Sequence, residues 1–278
     1  MVSKPLAAIP DGPVDVPAAV AELAGDRPLR PVWRNALGGV TFELNGGIDG
    51  GTDGAEPSRF VKWVAAGTLE SDLVAEEVRL AWAAEHGARV PRVLSAGADP
   101  HGSWLVTEAI PAASAVSDRW IRDPATAARA IGAGLRELHE TLPASGCPFE
   151  WSVGARLARV RARTERGEGP ADWSREHRGL GRERALAILA DPPPVDRSVV
   201  CHGDACAPNT LIAADGAFAG HVDLGDLGVA DRWADLAVAA WSTEWNYGAS
   251  YADELFAGYG VEPDRRRIAY YRLLWDLS

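Results

Sequence analysis

The sequence predicts an α+β protein of two lobes, a small β-rich N-terminal lobe and a larger, mainly helical C-terminal lobe. Strand-like segments dominate the chain as far as residue 110, and helical patterns dominate after Pro111. The boundary is expected within Thr107–Ala112, which gives lobes of 1–108 and 109–278. A chain of 278 residues with 47% hydrophobic residues is long enough to bury one large core or two modest ones.

Strands and one main helix account for the first lobe. The helix is predicted over Leu69–Gly87, where apolar residues recur at helical spacing until a glycine ends the pattern. A glycine pair, Gly38-Gly39, is typical both of a hairpin turn and of a loop that covers phosphates. A short helix is expected near Val16–Leu23. The strand-like segments are Val32–Leu44, Arg59–Ala65 and Ser103–Ile110.

Four segments of the second lobe have helical patterns. Pro124–Leu142 follows Asp123, a good N-cap residue, and carries proline at the first helical position. The other three helical segments are Arg156–Arg166, Asp231–Thr243 and Asp264–Leu277.

Composition excludes several classes of protein. The formal net charge of −11 disfavours nucleic acid as a partner and suits a cationic small ligand, although acidic excess also simply favours solubility. No apolar run approaches the roughly 20 residues of a membrane span, and Met1–Pro13 does not resemble a secretory signal. Three cysteines form no disulfide framework, so we expect a cytoplasmic protein.

One polar stretch, "CHGDACAPNTLIAADGAFAGHVDLGD", carries the candidate chemistry of the second lobe. Two strand-like runs flank Asp215-Gly216, a pair that predicts a two-residue hairpin turn. That turn would place Asn209 opposite Val222 and next to Asp223, with Asp204 on the loop before the first strand. Oxygen ligands of this kind suit Mg²⁺ together with substrate phosphates.

The spacing of these groups is that of a kinase catalytic loop followed by its magnesium aspartate. Phosphoryl transfer also needs a cation for the phosphates, and Lys62 lies in the centre of a predicted strand. A lysine among apolar neighbours requires an acidic partner. Glu76 and Glu77 both lie near the apolar stripe of the helix, so spacing leaves both open as that partner.

Longer motifs resemble the aminoglycoside phosphotransferase family, most closely the aminoglycoside 3'-phosphotransferases. They are "VVCHGDACAPNTLI", "HVDLGDLGVADRWADLA", "LRELHETLPASGCPFEW", "EEVRLAWAAEHGARVPRVL" and "RIAYYRLLWDLS", so the resemblance covers most of the chain after Pro31. It implies a bilobal protein-kinase-like fold, Mg²⁺, ATP or GTP as phosphate donor, and an antibiotic hydroxyl as acceptor.

The resemblance also implies roles for individual residues. Asp204 takes the catalytic position, and Asn209 and Asp223 take the magnesium positions. Lys62 takes the position of the nucleotide-phosphate lysine, and Glu76 that of its helix glutamate. The backbone of Glu108, Ala109 and Ile110 would contact the nucleotide base. Asp235 is expected to bond the backbone of the catalytic loop. Independently of the resemblance, Asp231 is expected to cap a helix, because aspartate is a favoured N-cap residue.

The acceptor side departs from the family pattern. Asp226 replaces the arginine that commonly follows Asp-x-Gly, and Ser174 and Arg175 interrupt an acidic cluster of which Asp172 remains. Tryptophans stand where relatives carry charged side chains, which suggests a larger or less uniformly charged acceptor. The expected acceptor residues are Asp172, Asp226, Trp241, Glu244, Trp245 and Asp276.

Three functions are compatible with the sequence. The chain is expected to phosphorylate an aminoglycoside and so confer resistance. A kinase of the same fold acting on another hydroxylated antibiotic or small metabolite is the alternative that Asp226, Ser174 and Arg175 favour. A catalytically silent nucleotide-binding protein is disfavoured because every catalytic position is filled. A zinc site at Cys201, His202, Cys206 and His221 fits no common zinc spacing.

Overall fold

The chain divides into two compact units, which are residues 1–84 with 90–110, and residues 85–89 with 111–278. The computed structural model describes residues 7–8, 10, 12–35, 37–44, 58–68 and 72–278. The expected α+β character is confirmed: sheet dominates the first unit and helix dominates the second. In the described part of the chain, no helix has both the length and the apolar character that crossing a bilayer requires.

An antiparallel sheet forms the first unit, with strand order β1-β2-β3-β4-β6-β5 among the described residues. Its strands are β1 (Ala7–Ala8), β2 (Leu29–Asn35), β3 (Val40–Leu44), β4 (Arg59–Ala65), β5 (Val93–Asp99) and β6 (Gly102–Glu108). Two helices accompany it, α1 (Ala18–Ala24) and α2 (Leu73–Glu85), and the Asp72 carboxylate accepts hydrogen bonds from the first backbone N–H groups of α2. The Leu69 start that the sequence predicts for α2 lies outside the described residues.

Alternation in β3 builds the core of this unit. Val40, Phe42 and Leu44 are buried, while the residues between them are half-buried. Phe42 packs in one cluster with Val61 of β4, among other apolar residues. Replacing such a buried phenylalanine by alanine typically costs about 3–5 kcal/mol of folding free energy.

The predicted strand over Val32–Leu44 is two strands, so that expectation is wrong in its continuity. β2 and β3 form an antiparallel hairpin, and the turn between them includes Gly38, which has a φ of 93°. The Asn35 side chain accepts a hydrogen bond from the Gly39 N–H at 2.8 Å. Ala36, also in this turn, lies outside the described residues. The glycine pair therefore serves the hairpin turn.

The second unit combines helices with short strands. Its strands form one sheet of order β10-β9-β7 and a pair β11-β8. They are β7 (Ala113–Ser114), β8 (Ser198–Cys201), β9 (Thr210–Ile212), β10 (Phe218–His221) and β11 (Gly228–Asp231). The helices are α3 (Asp118–Ile121), α4 (Pro124–Thr141), α5 (Val153–Glu165), α6 (Arg182–Leu189), α7 (Trp233–Tyr247), α8 (Ala252–Tyr259) and α9 (Arg265–Leu277).

Glycines allow α4 and α8 to pack backbone against backbone. A Cβ on Gly132 would lie 2.0 Å from the Leu255 carbonyl oxygen, and one on Gly258 would lie 2.3 Å from that of Arg129. Both contacts are shorter than van der Waals distance, so each position requires glycine. α4 begins as the sequence predicts, since the Asp123 carboxylate accepts a hydrogen bond from the Thr126 N–H.

Candidate active site

The hairpin of β9 and β10 has the expected register at its open end but a different turn. Gly216 N–H donates to the Ala213 carbonyl, and Ala213 N–H donates to that of Ala217. Residues 214–216 therefore link the strands, and the predicted two-residue turn is wrong. Gly216 has a φ of 90°, whereas Asp215 does not take the positive φ that such a turn requires of both its residues.

A bulge between Phe218 and Gly220 restores the register farther along the hairpin. His221 then faces Thr210, and the Val222 N–H donates to the Asn209 carbonyl oxygen at 3.0 Å. Asn209 therefore stands opposite Val222, as the sequence predicts, and Asp223 follows directly.

The loop that carries Asp204 is held from two sides. His202 Nε2 donates to the Val222 carbonyl oxygen at 3.0 Å, and the Asp204 N–H donates to His202 Nδ1 at 3.3 Å. Because both ring nitrogens are engaged with backbone, His202 braces the loop and does not serve as a base. Gly203 has a φ of 90°, and a Cβ there would lie 2.2 Å from the Asp226 carbonyl oxygen.

Asp235, a buried residue of α7, holds the same loop through hydrogen bonds to its backbone. The Asp235 carboxylate accepts the His202 N–H at 2.6 Å and the Gly203 N–H at 3.0 Å. It also accepts from His139 Nε2 of α4 at 2.9 Å. Burial by itself raises the pKa of Asp235, but the bonds from His139 and the loop outweigh it and hold this pKa below its ordinary value. Asp231, the last residue of β11, accepts a hydrogen bond from the first backbone N–H of α7, that of Trp233.

Three oxygen-bearing side chains come together where this loop meets the hairpin. Asn209 Nδ2 donates to the Asp204 carbonyl at 3.0 Å and to Asp204 Oδ2 at 3.1 Å. Asp223 has a φ of 64°, an uncommon value for a residue with a side chain. Its carboxylate lies near enough to Asp204 to shift the titration of that group. The convergence that the sequence predicts is therefore observed.

Electrostatics at Asp204 point to a missing partner. Burial raises the pKa of the Asp204 carboxyl, and the negative charge of Asp223 raises it further. Asp204 Oδ1 is buried and has no hydrogen-bond partner among the residues that the structure describes. A buried carboxylate oxygen without a partner is costly unless a ligand supplies one. The donor set of two carboxylates and one amide fits a hard cation such as Mg²⁺.

Lys62 pairs with Glu76, one of the two glutamates that the sequence left open as its partner. Lys62 Nζ of β4 lies 2.7 Å from Glu76 Oε2 of α2. Glu76 is buried, whereas Glu77 is half-buried, which distinguishes two acids that spacing alone could not. The side chain of Lys62 retains 18% exposure, so its ammonium group is held in place yet accessible.

At the end of β6, some backbone N–H groups already donate hydrogen bonds within the protein. The Ala109 N–H donates to the Ser58 carbonyl oxygen at 2.9 Å, and the Glu108 N–H donates to that of Arg92. The Glu108 side chain pairs with the Arg92 guanidinium at 2.9 Å. Ile110 is half-buried. Two of the three backbone donors expected to face a nucleotide base therefore have partners within the first unit.

Comparison with known proteins identifies the family of this chain. The profile of the phosphotransferase enzyme family APH matches residues 50–271. The chain belongs to this phosphotransferase family. It is 35% identical to the aminoglycoside 3'-phosphotransferase of Streptomyces fradiae, over 85% of this chain and 90% of that protein. It is also 35% identical to the streptomycin 3''-kinase of Streptomyces griseus, over 87% of this chain and 93% of that protein.

A solved structure supports the fold over nearly the whole chain. It is that of the aminoglycoside phosphotransferase APH(3'')-Id of Streptomyces rimosus in complex with ADP and streptomycin. The two share 30% identity and a TM-score of 0.71, and the match covers 93% of this chain and 95% of that one. The kinase-like fold class is therefore shown for this phosphotransferase.

Most of the residues expected to meet an acceptor lie in the second unit around the ends of α7 and α9. Trp241 and Trp245 pack together with ring centroids 4.7 Å apart, and Trp275 of α9 joins them at 6.1 and 5.8 Å. Asp276 is linked to this group through His177, whose ring meets that of Trp241 at 5.3 Å. Asp172 is exposed and accepts a hydrogen bond from the Gly169 N–H, so it closes a local turn.

Sequence reasoning missed the partners of the acidic residues in this phosphotransferase. Arg159 of α5 pairs with Asp226, Arg272 of α9 pairs with Glu244, and His177 pairs with Asp276. No spacing rule connects these residues, since each pair joins distant parts of the chain. Only the replacement of a family arginine by Asp226 signalled that a compensating cation was needed.

Proposed function

We propose that this phosphotransferase moves the γ-phosphate of ATP or GTP to a hydroxyl group of an aminoglycoside, and so confers resistance to that antibiotic. The observation that carries the proposal is the half-buried Asp204, whose buried Oδ1 has no hydrogen-bond partner in the described structure, beside Asn209 and Asp223. The family match and the relatives named above support the substrate class.

Asp204 would position the acceptor hydroxyl and accept its proton. The raised pKa, caused by burial and by the charge of Asp223, makes this carboxylate a stronger base than an ordinary aspartate. Its Oδ2 accepts from Asn209, which fixes the carboxylate plane and leaves Oδ1 to meet the hydroxyl. Phosphoryl transfer asks little covalent chemistry of a protein, so positioning and charge dominate.

Asn209 and Asp223 would hold Mg²⁺, and Lys62 would steady the nucleotide phosphates. When bound, magnesium supplies neutralisation of the phosphate charge. Glu76 orients the Lys62 ammonium through the 2.7 Å contact. The backbone of Glu108, Ala109 and Ile110 would contact the base, chiefly through groups other than the Ala109 N–H, which already bonds Ser58.

The acceptor would lie against the second unit near the ends of α7 and α9. Trp241, Trp245, Glu244 and Asp276 meet there, and Asp226 follows the magnesium aspartate by three residues. Asp172, which closes a local turn, would contribute at the edge of this surface. The partner is thus a small cationic molecule. We place the reaction in the cytoplasm, where nucleoside triphosphates are available.

A second candidate function is phosphorylation of another hydroxylated antibiotic or small metabolite by the same machinery. It is favoured by one observation: Asp226, Glu244 and Asp276 each have a basic side chain of the protein as partner. Such acids are less available to the ammonium groups of an aminoglycoside.

The test is turnover by the purified protein with ATP or GTP, magnesium and a panel of acceptors. Streptomycin and kanamycin represent aminoglycosides, and a macrolide represents other hydroxylated antibiotics. We expect an aminoglycoside to gain one phosphoryl group in mass spectrometry, with matching release of nucleoside diphosphate. Transfer to the macrolide alone would establish the second function. A thermal shift with nucleotide but no transfer to any acceptor would identify a silent nucleotide-binding protein.

A further inference from the structure

Three acidic side chains on the acceptor side, Asp226, Glu244 and Asp276, already have basic side chains of the protein as partners. Arg159 Nη2 lies 2.8 Å from Asp226 Oδ1, and Arg272 Nη2 lies 2.6 Å from Glu244 Oε1. An acceptor ammonium group would have to displace these guanidinium groups. Such exchange of one cation for another gives little net binding energy, because surface ion pairs contribute little to begin with.

Asp276 is the most fully committed of these carboxylates. It is nearly buried, with 9% side-chain exposure, and its Oδ2 lies 2.6 Å from His177 Nδ1. Both of its oxygens also accept the Ser174 N–H at 3.0 Å. Ser174 thus interrupts the acidic cluster in sequence and also occupies the Asp276 carboxylate through its backbone N–H. Recognition by ammonium–carboxylate pairing is therefore weakened at this position.

An indole surface is available where the acids are not. Trp245 is 42% exposed and Trp275 is half-buried, while Trp241 behind them is only 4% exposed. The Trp245 and Trp275 ring centroids lie 5.8 Å apart with a 42° angle between planes. Trp241 therefore packs behind the other two rings, which supply the exposed aromatic surface of the cluster.

This indole surface lies close to the loop of Asp204. The Ala207 N–H of that loop donates to Ser242 Oγ of α7 at 2.9 Å. Ser242 precedes Trp245 by three residues, which is less than one helical turn, so the two side chains project from neighbouring positions on α7. Trp245 therefore follows, within one turn of α7, a side chain that contacts this loop.

Two indoles of the second unit already lie against guanidinium groups. The Arg159 guanidinium lies 4.4 Å from the Trp151 ring centroid, and that of Arg272 lies 5.7 Å from the Trp241 ring. A guanidinium is planar and weakly hydrated, so it stacks on tryptophan more readily than a compact, strongly hydrated ammonium group does.

We propose that Trp245 and Trp275 select the acceptor by stacking a guanidinium group, so that guanidinium-bearing aminoglycosides are preferred over those whose cations are all ammonium groups. This inference rests on the proposed function, because it specifies the acceptor of that same site. In this proposal the two indoles determine which acceptor binds, while Asp226, Glu244 and Asp276 stabilise the fold through their basic partners.

The test compares streptomycin, which carries guanidinium groups, with kanamycin, whose cations are all ammonium groups. Wild-type protein should have the higher kcat/KM for streptomycin. Trp245→Ala should raise the KM for streptomycin about tenfold with little change in kcat or in the KM for ATP, since only acceptor stacking is removed. Trp245→Phe should recover part of the loss. Val195→Ala, which shortens an exposed apolar side chain outside the cluster, should match wild type.

Binding is measured alongside turnover so that the two proposals can fail separately. Streptomycin should quench the tryptophan fluorescence of wild type, and less so that of Trp245→Ala, with affinity that persists at raised salt because stacking is screened less than surface ion pairing. Binding through Trp245 without phosphoryl transfer would overturn the proposed function alone. Turnover of both drugs with equal losses in Trp245→Ala, or a wild-type preference for kanamycin, would overturn the stacking inference. Failure of streptomycin to bind the wild-type protein would overturn the stacking inference as well.

Discussion

Asp204, the proposed proton acceptor, lowers the stability of the folded protein when it is ionised. Its carboxylate is desolvated and faces Asp223, so the pKa lies above the ordinary value and the ionised form destabilises the ligand-free protein at neutral pH. Such conflict between stability and chemistry is typical of functional sites. The arrangement persists because Asn209 and the loop backbone hold the carboxylate in place.

Replacing Asp204 by asparagine separates these two effects. Asp204→Asn should lower kcat by at least about 100-fold, because the proton acceptor is lost while nucleotide binding is kept. The same variant should melt at a higher temperature than wild type at neutral pH, because the repulsion with Asp223 is removed. Steady-state kinetics and thermal unfolding measure the two results. Asp215→Asn, the same change at the exposed turn of the hairpin, is the control for both.

Glu76 and Glu77 offer a matched pair in the first unit. Glu76→Gln removes the partner of Lys62, so the ammonium group is no longer fixed and the KM for ATP should rise about tenfold. Glu77→Gln makes the same chemical change one residue away and should change the KM less than twofold. Equal effects of the two substitutions on nucleotide kinetics would remove the ion pair from the proposed role.

At the scale of elements, Asp235 ties α7 to α4 and to the loop before β9. Its carboxylate accepts three hydrogen bonds, from His139, His202 and Gly203. Since all of these groups are buried, removing the negative charge leaves donors without a partner. The contact among these elements depends on one fully buried side chain.

Asp235→Asn should therefore destabilise the protein by about 3 kcal/mol, because the new amide hydrogens oppose the buried donors. Urea unfolding at pH 7 measures the loss as a lower midpoint with unchanged slope. Asp191→Asn, at a side chain that is 88% exposed, is the control and should unfold like wild type. If the midpoint of Asp235→Asn does not move, the carboxylate does not hold these elements together.

Elements with strong local signals were predictable and those that depend on distant partners were not. β4 has the predicted limits, and α4 begins after Asp123, whose carboxylate caps it as expected. α9 ends at the predicted Leu277 and begins one residue after the predicted start, because Asp264 caps it. β8 was not predicted, since its four residues pair with β11 some thirty positions later. The helices α6 and α8 were missed because each has only eight residues.

The candidate site shows the same division. The spacing of Asp204, Asn209 and Asp223 was informative because one hairpin brings them together. The predicted turn was wrong by one residue, but the bulge between Phe218 and Gly220 shifts the register back, so the predicted pairing at the open end still holds. The partners Arg159, Arg272 and His177 come from other elements and leave no local pattern. Residues that act through tertiary contacts therefore require coordinates.

At the scale of the whole molecule, one buried histidine links folding to pH. His221 is 1% exposed and lies between the rings of His202, at 5.3 Å, and Phe218, at 4.6 Å. Burial, with a smaller contribution from the His202 ring, lowers the pKa of His221 to about 3. The folded protein therefore keeps this imidazole neutral over a range in which an unfolded chain protonates it.

The sign of the effect follows from proton linkage. Between the unfolded pKa of about 6.5 and the folded value near 3, the unfolded state binds one more proton than the folded state. Stability contributed by the neutral His221 is thus complete above that unfolded pKa. It is lost as pH falls, by about 1.4 kcal/mol per pH unit within the window.

His221→Phe should remove this dependence, because a ring of similar size fits between the same neighbours and binds no proton. Its free energy of unfolding should fall less steeply than that of wild type from about pH 6 to pH 4, so that the variant becomes the more stable protein in acid. Urea unfolding at a series of pH values gives both curves. His101→Phe changes an exposed histidine and should leave the wild-type slope intact. Parallel curves for wild type and His221→Phe would mean that this buried ring does not govern acid stability.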